Sequence, residues 1–309
     1  MTDRERLLDE LRPLAFTVAY RMLGSVSEAE DIVQEALLRV HQALEGGERI
    51  ASPRAFVTTV TTRLAIDELR SARVRRETYV GDWLPEPIVT DGSIDPARQA
   101  ETADSISMAM LLLLESLTPE ERAAFLLHDA FDYPYRDIAA IIGKSEDNVR
   151  QLASRGRRHV TEHRPRFQTT REHQAELAQR FFAAAESGEL AELEALLADD
   201  VVLTGDGGGN APALARSLQG RSRVARILSN WSRARSRIQG GVRFQIVEVN
   251  GGPGALMLDA RDRIAAALAL EIADGQITRV MSVVNPDKLD HLGAVTNLGE
   301  LFSAGPAPS

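Results

Sequence analysis

Five residues of the chain spell a metal motif. His159-Val160-Thr161-Glu162-His163 is H-x-x-E-H, the inverted zinc-peptidase spacing, which sets two imidazoles and a carboxylate about one helical turn apart. No third ligand stands nearby, arginines precede the motif and Arg164-Pro165 closes it, so no metal is expected. Gly207-Gly208-Gly209 lacks the Gly-Lys-Ser/Thr ending of a phosphate loop and reads as a sharp turn that brings two backbones close. Asp259 has the chemistry of a general base, but Arg261-Asp262-Arg263 after it reads as an exposed turn, and no histidine stands near it in sequence. No catalytic residue and no cofactor follow from these groups. The acids and arginines say more. Asp31, Gln34, Glu35 and Leu38 lie at i, i+3, i+4 and i+7, on one face of a helix. Such a face suits a basic partner helix, although a solvated acidic face has the same spacing. Only Lys144 and Lys288 are lysines, so nearly all positive charge is arginine, the side chain that grips phosphate and guanine in bidentate fashion. A GC-rich genome gives the same bias.

These groups need elements to position them. Leu7, Leu8, Leu11, Leu14, Ala15, Val18 and Met22 recur at helical spacing until Gly24-Ser25 breaks the run. A second helix starts at Ser27 with Glu28 and Glu30 in its first turn and ends at Gly46-Gly47. A third follows Ser52-Pro53 and carries Phe56, Val60, Leu64 and Leu69, despite four threonines that form helices poorly. Gly81-Asp82-Trp83-Leu84-Pro85-Glu86-Pro87 has a linker's composition, with Trp83 and Ile88 more apolar than a free linker needs. Helices resume near Glu101, and Thr118-Pro119-Glu120-Glu121 is a capped start. Tyr135 to Ile142, the turn Gly143-Lys144 and a helix capped by Ser145 with Arg150, Arg155, Arg157 and Arg158 outward describe a helix-turn-helix. Beyond Phe167 come a helix from about Glu172 to Ser187 and another from Glu189 to Ala198. Strand alternation follows, with Asp274-Gly275 as a hairpin signal. Helices first and then a curved antiparallel sheet predict an α+β domain, with a disordered tail.

Composition sets the class. With 309 residues, 44% hydrophobic and 26% charged, the chain has room for two or three folded domains. It has no cysteine, which removes disulfides, thiolate sites and cysteine nucleophiles. The net charge of -9 argues against indiscriminate coating of nucleic acid and leaves room for local basic patches. No apolar run reaches the ~20 residues of a membrane span, and no apolar segment follows the charged first residues. A cytoplasmic protein without membrane contact is expected.

Glu28 to Ala36, reading Glu-Ala-Glu-Asp-Ile-Val-Gln-Glu-Ala, resembles region 2.2 of the extracytoplasmic-function (ECF) sigma factors of bacterial RNA polymerase. Ala65-Ile66-Asp67-Glu68-Leu69-Arg70 resembles their region 2.3–2.4, and Tyr133 to Arg158 their region 4.2. Trp83-Leu84-Pro85-Glu86-Pro87, Asp206-Gly207-Gly208-Gly209 and Asn285-Pro286-Asp287-Lys288-Leu289 are similar to motifs of the SigJ-like ECF41 group, whose C-terminal extension has an NTF2-like (SnoaL-like) fold. Asn210 stands where that group has arginine, and Phe56 where many members have tryptophan.

The resemblance implies a subunit that carries polymerase to promoters and makes or breaks no bond itself. Residues 1–80 would form a four-helix sigma2 domain, 81–103 a linker, 104–166 a sigma4 domain, 170–295 an NTF2-like cone and 296–309 a flexible tail. Asp31, Gln34, Glu35 and Leu38 would grip the clamp helices of the largest core polymerase subunit. Phe56, Arg63, Arg70, Arg73, Arg75 and Arg76 fit capture of the unpaired -10 element, which needs ring shelves and backbone cations. Phe56 fits a core position equally well, and few acids near Arg70 and beyond explain those arginines otherwise. Lys144, Ser145, Asn148, Arg150, Arg155 and Arg158 would engage the -35 duplex, Asn148 and Arg150 at base edges and Lys144 and Arg155 at phosphates. Trp83 and Pro85, Asp206 to Gly209, and Asn285, Pro286, Asp287, Lys288 and Leu289 would form an intramolecular contact through which the extension regulates the sigma domains. Two other classes stay open: a small-molecule sensor or isomerase-like enzyme in the extension's pocket, and a simple helix-turn-helix repressor, which leaves the region 2.2 residues unexplained.

Overall fold

The computed structural model describes residues 2–47, 49–76, 78–91, 106–163, 170–235, 238 and 240–303. The chain divides into two compact units, Met1–Thr78 with Ala100–Arg164, and Tyr79–Gln99 with Pro165–Ser309.

In the first unit, α1 (Asp3–Leu23) opens on a capping box between Thr2 and Glu5 and stops at Gly24, whose φ of 70° no side chain would share cheaply. Ser25 caps α2 (Val26–Glu45), two residues before the expected start. Ser52 accepts from Ala55 N–H at 3.2 Å and opens α3 (Pro53–Arg76). The described part of the first 78 residues holds three helices where a four-helix domain was expected, and α3 runs unbroken through the threonines, as its apolar spacing predicts. Thr58, Thr61 and Thr62 are fully buried, so packing of their branched side chains overrides weak helix propensity. Among the described residues four further helices follow: α4 (Met108–Leu114), α5 (Pro119–Asp129), α6 (Tyr135–Ile142) and α7 (Glu146–His163). Thr118 and Glu121 form a second capping box, and Gly143 at φ 67° makes the turn between α6 and α7. Ala124, Leu127, Ile138, Ile141, Val149 and Leu152 are the core of this half.

The two helical halves pack together as one compact unit. Arg122 on α5 is fully buried, donates to the Arg21 carbonyl on α1 at 3.2 Å and pairs with Glu115 at 2.5 Å. Burial pushes its guanidinium down to about 9, still a cation at neutral pH.

In the second unit, α8 (Arg171–Ser187) and α9 (Leu190–Leu196) precede β1 (Leu197–Asp206), which begins where helix was still expected. After β2 (Leu218–Gln219) and α10 (Arg221–Arg235) come β3 (Val242–Val249), β4 (Gly252–Asp259), β5 (Ile264–Ala273) and β6 (Gln276–Val283). The sheet order is β2-β1-β6-β5-β4-β3. β1 pairs with β6 in parallel, a correction to the expected antiparallel sheet, since the chain crosses over by way of α10 and four strands. The hairpins turn at Asn250-Gly251 and Asp274-Gly275, all four residues at φ between 51° and 73°. Phe181, Phe182, Leu193, Leu228, Leu268 and Val280 belong to the core under the helices. Two single 3-10 turns, Pro286–Lys288 and Asp290–Leu292, lead to α11 (Leu298–Ser303). A flexible tail was expected here, but Leu298 is buried in that core and Leu301 packs on it. Residues 81–91 of the expected linker also belong to this unit, for Leu84, Pro85, Glu86, Pro87 and Ile88 are buried. Among the described residues no helix is long and apolar enough to cross a membrane.

Candidate functional site

The acidic face of α2 is open. Asp31, Gln34 and Leu38 are exposed and Glu35 half-buried, with Arg39 donating to it at 2.7 Å. Ile32, Val33, Ala36 and Val40 are buried on the opposite face, which fixes the rotation of the helix. Leu38 keeps 49% of its surface exposed in the middle of a polar row.

On α3, Phe56 is half-buried. Arg63 donates through Nε to the carbonyl of Ile141 at 2.8 Å and through Nη2 to that of Ala140 at 2.9 Å, at the C-terminal turn of α6, where helix carbonyls lack intrahelical donors. Arg70 bonds Asp67 at 3.0 Å and Glu120 at 2.6 Å. The shortage of acids inferred around Arg70 is corrected, for one partner is 50 residues away in sequence. Burial alone would raise the Glu120 carboxyl, but the Arg70 guanidinium outweighs it and holds the group below its usual range. Arg73, Arg75 and Arg76 lie on α3, and their side chains are outside the described residues.

At the helix-turn-helix, Ser145 accepts from Asn148 N–H at 3.4 Å and so caps α7. Lys144, Ser145, Asn148, Arg150, Arg155 and Arg158 are all exposed. Arg150 pairs with Glu146 at 2.5 Å and lies over the Tyr135 ring, and Arg155 pairs with Glu121 at 2.6 Å. His159 of the H-x-x-E-H motif bonds the Ser116 hydroxyl at 2.6 Å. Among the described residues no group of three potential ligands could hold a metal. Asp259 accepts from the Arg261 and Arg263 N–H groups and from the Arg263 guanidinium, at 2.8 to 2.9 Å. Burial would raise its carboxyl, yet these bonds hold it below the usual range, unlike a base poised near neutrality.

The three motifs of the C-terminal group converge inside the second unit. Asp206, fully buried at the end of β1, accepts from the Tyr79 hydroxyl at 2.6 Å with one oxygen. With the other it accepts from Leu84 N–H and Lys288 Nζ, both at 2.8 Å. Lys288 also donates to the Leu84 carbonyl at 2.5 Å and lies over the rings of Trp83 (4.2 Å) and Tyr79 (5.0 Å), a cation shelved on two aromatic faces. Burial and then the Asp206 carboxylate push the Tyr79 phenol up. Asn285 donates to the Tyr79 hydroxyl at 3.2 Å, and its own N–H reaches the Asp206 carbonyl at 3.0 Å. A Cβ on Gly207 would stand 2.2 Å from the Ala211 carbonyl, and one on Gly208 2.3 Å from the Asn285 amide. Gly209 and Asp287 are exposed, and Asn210, where the resembled group has arginine, donates to Asp287 at 2.8 Å. Pro286 is half-buried, while Pro85 and Leu289 are buried.

The rest of the strap, residues 79–91, was not foreseen in the sequence. Ile88 exchanges two hydrogen bonds with Asn250, at 2.8 and 2.9 Å, Val89 bridges Val249, and Thr90 bonds Glu248. His291 bonds the Pro87 carbonyl at 2.7 Å, and Ser217 donates to Asp82 at 2.7 Å. The buried Ile88 beside two prolines was the available signal.

The sigma-70 region 2 model matches residues 7–75, and the sigma-70 region 4 model matches residues 107–160. The chain is 40% identical over 290 residues, 91% of both chains, to the ECF RNA polymerase sigma factor SigJ of Mycobacterium tuberculosis. It is 32% identical over 284 residues to the probable ECF RNA polymerase sigma factor SigI of the same species, covering 90% of this chain and 91% of the other. The crystal structure of SigJ aligns with a TM-score of 0.74 at 36% identity, over 91% of this chain and 96% of that one.

Proposed function

The chain belongs to the ECF sigma factors of RNA polymerase, and from that premise we propose how its parts share the work of promoter-specific initiation. The open face of α2, with Asp31, Gln34, Glu35 and Leu38, docks on the clamp helices of core polymerase. The observation that carries this reading is the exposure of Leu38 among acids, an apolar centre with a charged rim. α3 takes the -10 element with Phe56, Arg63, Arg70, Arg73, Arg75 and Arg76. The turn and α7 take the -35 element with Lys144, Ser145, Asn148, Arg150, Arg155 and Arg158. Arg63 and Arg70 are spent on α6 and Glu120 in the closed first unit, so reading the -10 strand requires α3 to part from α5 and α6.

The second unit acts as a control element in cis, as in the ECF41 group. The strap it holds is the covalent connection between α3 and α4, so the Asp206–Lys288 latch governs the path along which the DNA-reading halves separate. No catalytic residue is assigned, and the protein works in the cytoplasm beside polymerase. Run-off transcription with core polymerase tests the division: full-length protein against Asp206→Asn and against a chain stopped before Asn285. The latch reading predicts output altered in both; equal output from all three ends it and leaves the sigma assignment standing.

A further inference from the structure

In the second unit, α8, α10, α11 and the sheet enclose a cavity of about 600 Å³, its mouth included. The space has room for one or two rings. The wall is aromatic: Phe182 meets both Phe181 and Phe244 with ring centroids 5.3 Å apart, and Trp231 joins them. No lining residue is a carboxylate, and the one cation, Arg235, is committed. It donates to the Glu186 carbonyl at 2.7 Å, sits 3.4 Å from the Glu186 carboxylate and lies over the Phe244 ring. Ser232 on the wall is spent as well, on the same carbonyl. Ser282 differs. It is 1% exposed, and its Oγ has no hydrogen-bond partner among the described residues. Such a buried hydroxyl is destabilising unless something bonds it.

We propose that this cavity binds an uncharged, flat molecule of one or two rings bearing a hydroxyl or carbonyl oxygen for Ser282, and that its occupancy tightens the strap. Ser282 faces Gly205 across the β1–β6 ladder, and Val283 next to it faces Asp206, so the cavity's polar point pairs with the residue that precedes the latch carboxylate. A second path runs from the wall of α11. Asn297 at its start donates to the Asn210 carbonyl at 2.7 Å, and Asn210 donates to Asp287 beside Lys288. The coupling half rests on the latch reading above; the binding half does not.

The test titrates the full-length chain calorimetrically with 1-naphthol, naphthalene and 1-naphthalenesulfonate. 1-Naphthol binds saturably, about 5- to 10-fold tighter than naphthalene, the worth of one hydrogen bond, and the sulfonate does not bind. Ser282→Ala removes that preference while naphthalene still binds, and Ala266→Leu, which fills the cavity, removes both; melting curves check that each variant folds. Sulfonate binding as tight as 1-naphthol, or a preference unchanged in Ser282→Ala, overturns the assigned ligand chemistry. Bound 1-naphthol also slows chymotryptic cleavage after Tyr79 and Trp83 by about threefold, since cleavage follows the open population. Saturable binding with an unchanged cleavage rate overturns the coupling, whereas failure of the latch reading shows, without any ligand, in the Asp206→Asn transcription assay.

Discussion

Arg150 and Arg155 of the first unit and Lys288 of the second are all cations paired with a carboxylate, yet they are built for different uses. The arginines are about half exposed, so a phosphate or a guanine can displace Glu146 or Glu121 at small cost. Lys288 and Asp206 are 8% and 0% exposed, and no solvent repairs the loss of either. Burial, not residue type, separates a charge kept for a partner from one that holds the chain. Arg63 and Arg70 fall between, exposed yet bonded to another helix, as expected of groups that change partners.

The largest effect is predicted at the latch. Asp206→Ala takes the carboxylate away from the buried Lys288 ammonium and destabilises the second unit by about 3–5 kcal/mol, read by chemical denaturation. The same substitution speeds chymotryptic cleavage after Tyr79 and Trp83. Gly207→Ala comes next, because its Cβ meets the Ala211 carbonyl; a cost of about 1–3 kcal/mol is expected from the forced backbone shift.

That latch also marks where reading from sequence stopped. The helices were legible because Ser52, Thr118 and Ser145 announce their caps and Gly24 and Gly143 their ends. The turn at Asp274-Gly275 declared its hairpin in the same local way. The linker motif and the two C-terminal motifs were marked as an intramolecular contact by resemblance, but their chemistry was hidden, since Leu84 and Asp206 lie 122 residues apart. For the same reason the work of Arg63 and the partner of Arg70 on α5 stayed invisible. Parallel pairing of β1 with β6 left no local trace either, for alternation shows a strand and not its neighbour.

Smaller effects sharpen the contrast. Arg63→Ala removes two bonds to α6 carbonyls and should cost about 1 kcal/mol in stability while slowing promoter opening. Arg155→Ala should weaken binding to every promoter alike and lower its salt dependence, whereas Arg150→Ala should relax discrimination at particular bases. Identical behaviour of the two across a promoter panel contradicts that division. Alkaline pH gives the mildest probe. The raised Tyr79 phenol favours the folded state with full effect below its ordinary value of 10.0, and that contribution fades as pH climbs above it. Strap cleavage should therefore rise above about pH 10 in the native chain, and Tyr79→Phe should flatten this rise.

The central claim is that the open acids of α2 are reserved for polymerase. Competition of the Asp31→Arg, Glu35→Arg double variant with the native chain for core polymerase tests it directly, with circular dichroism confirming the helices. The account predicts loss of holoenzyme assembly by a folded protein; a variant that competes as well as the native chain contradicts it.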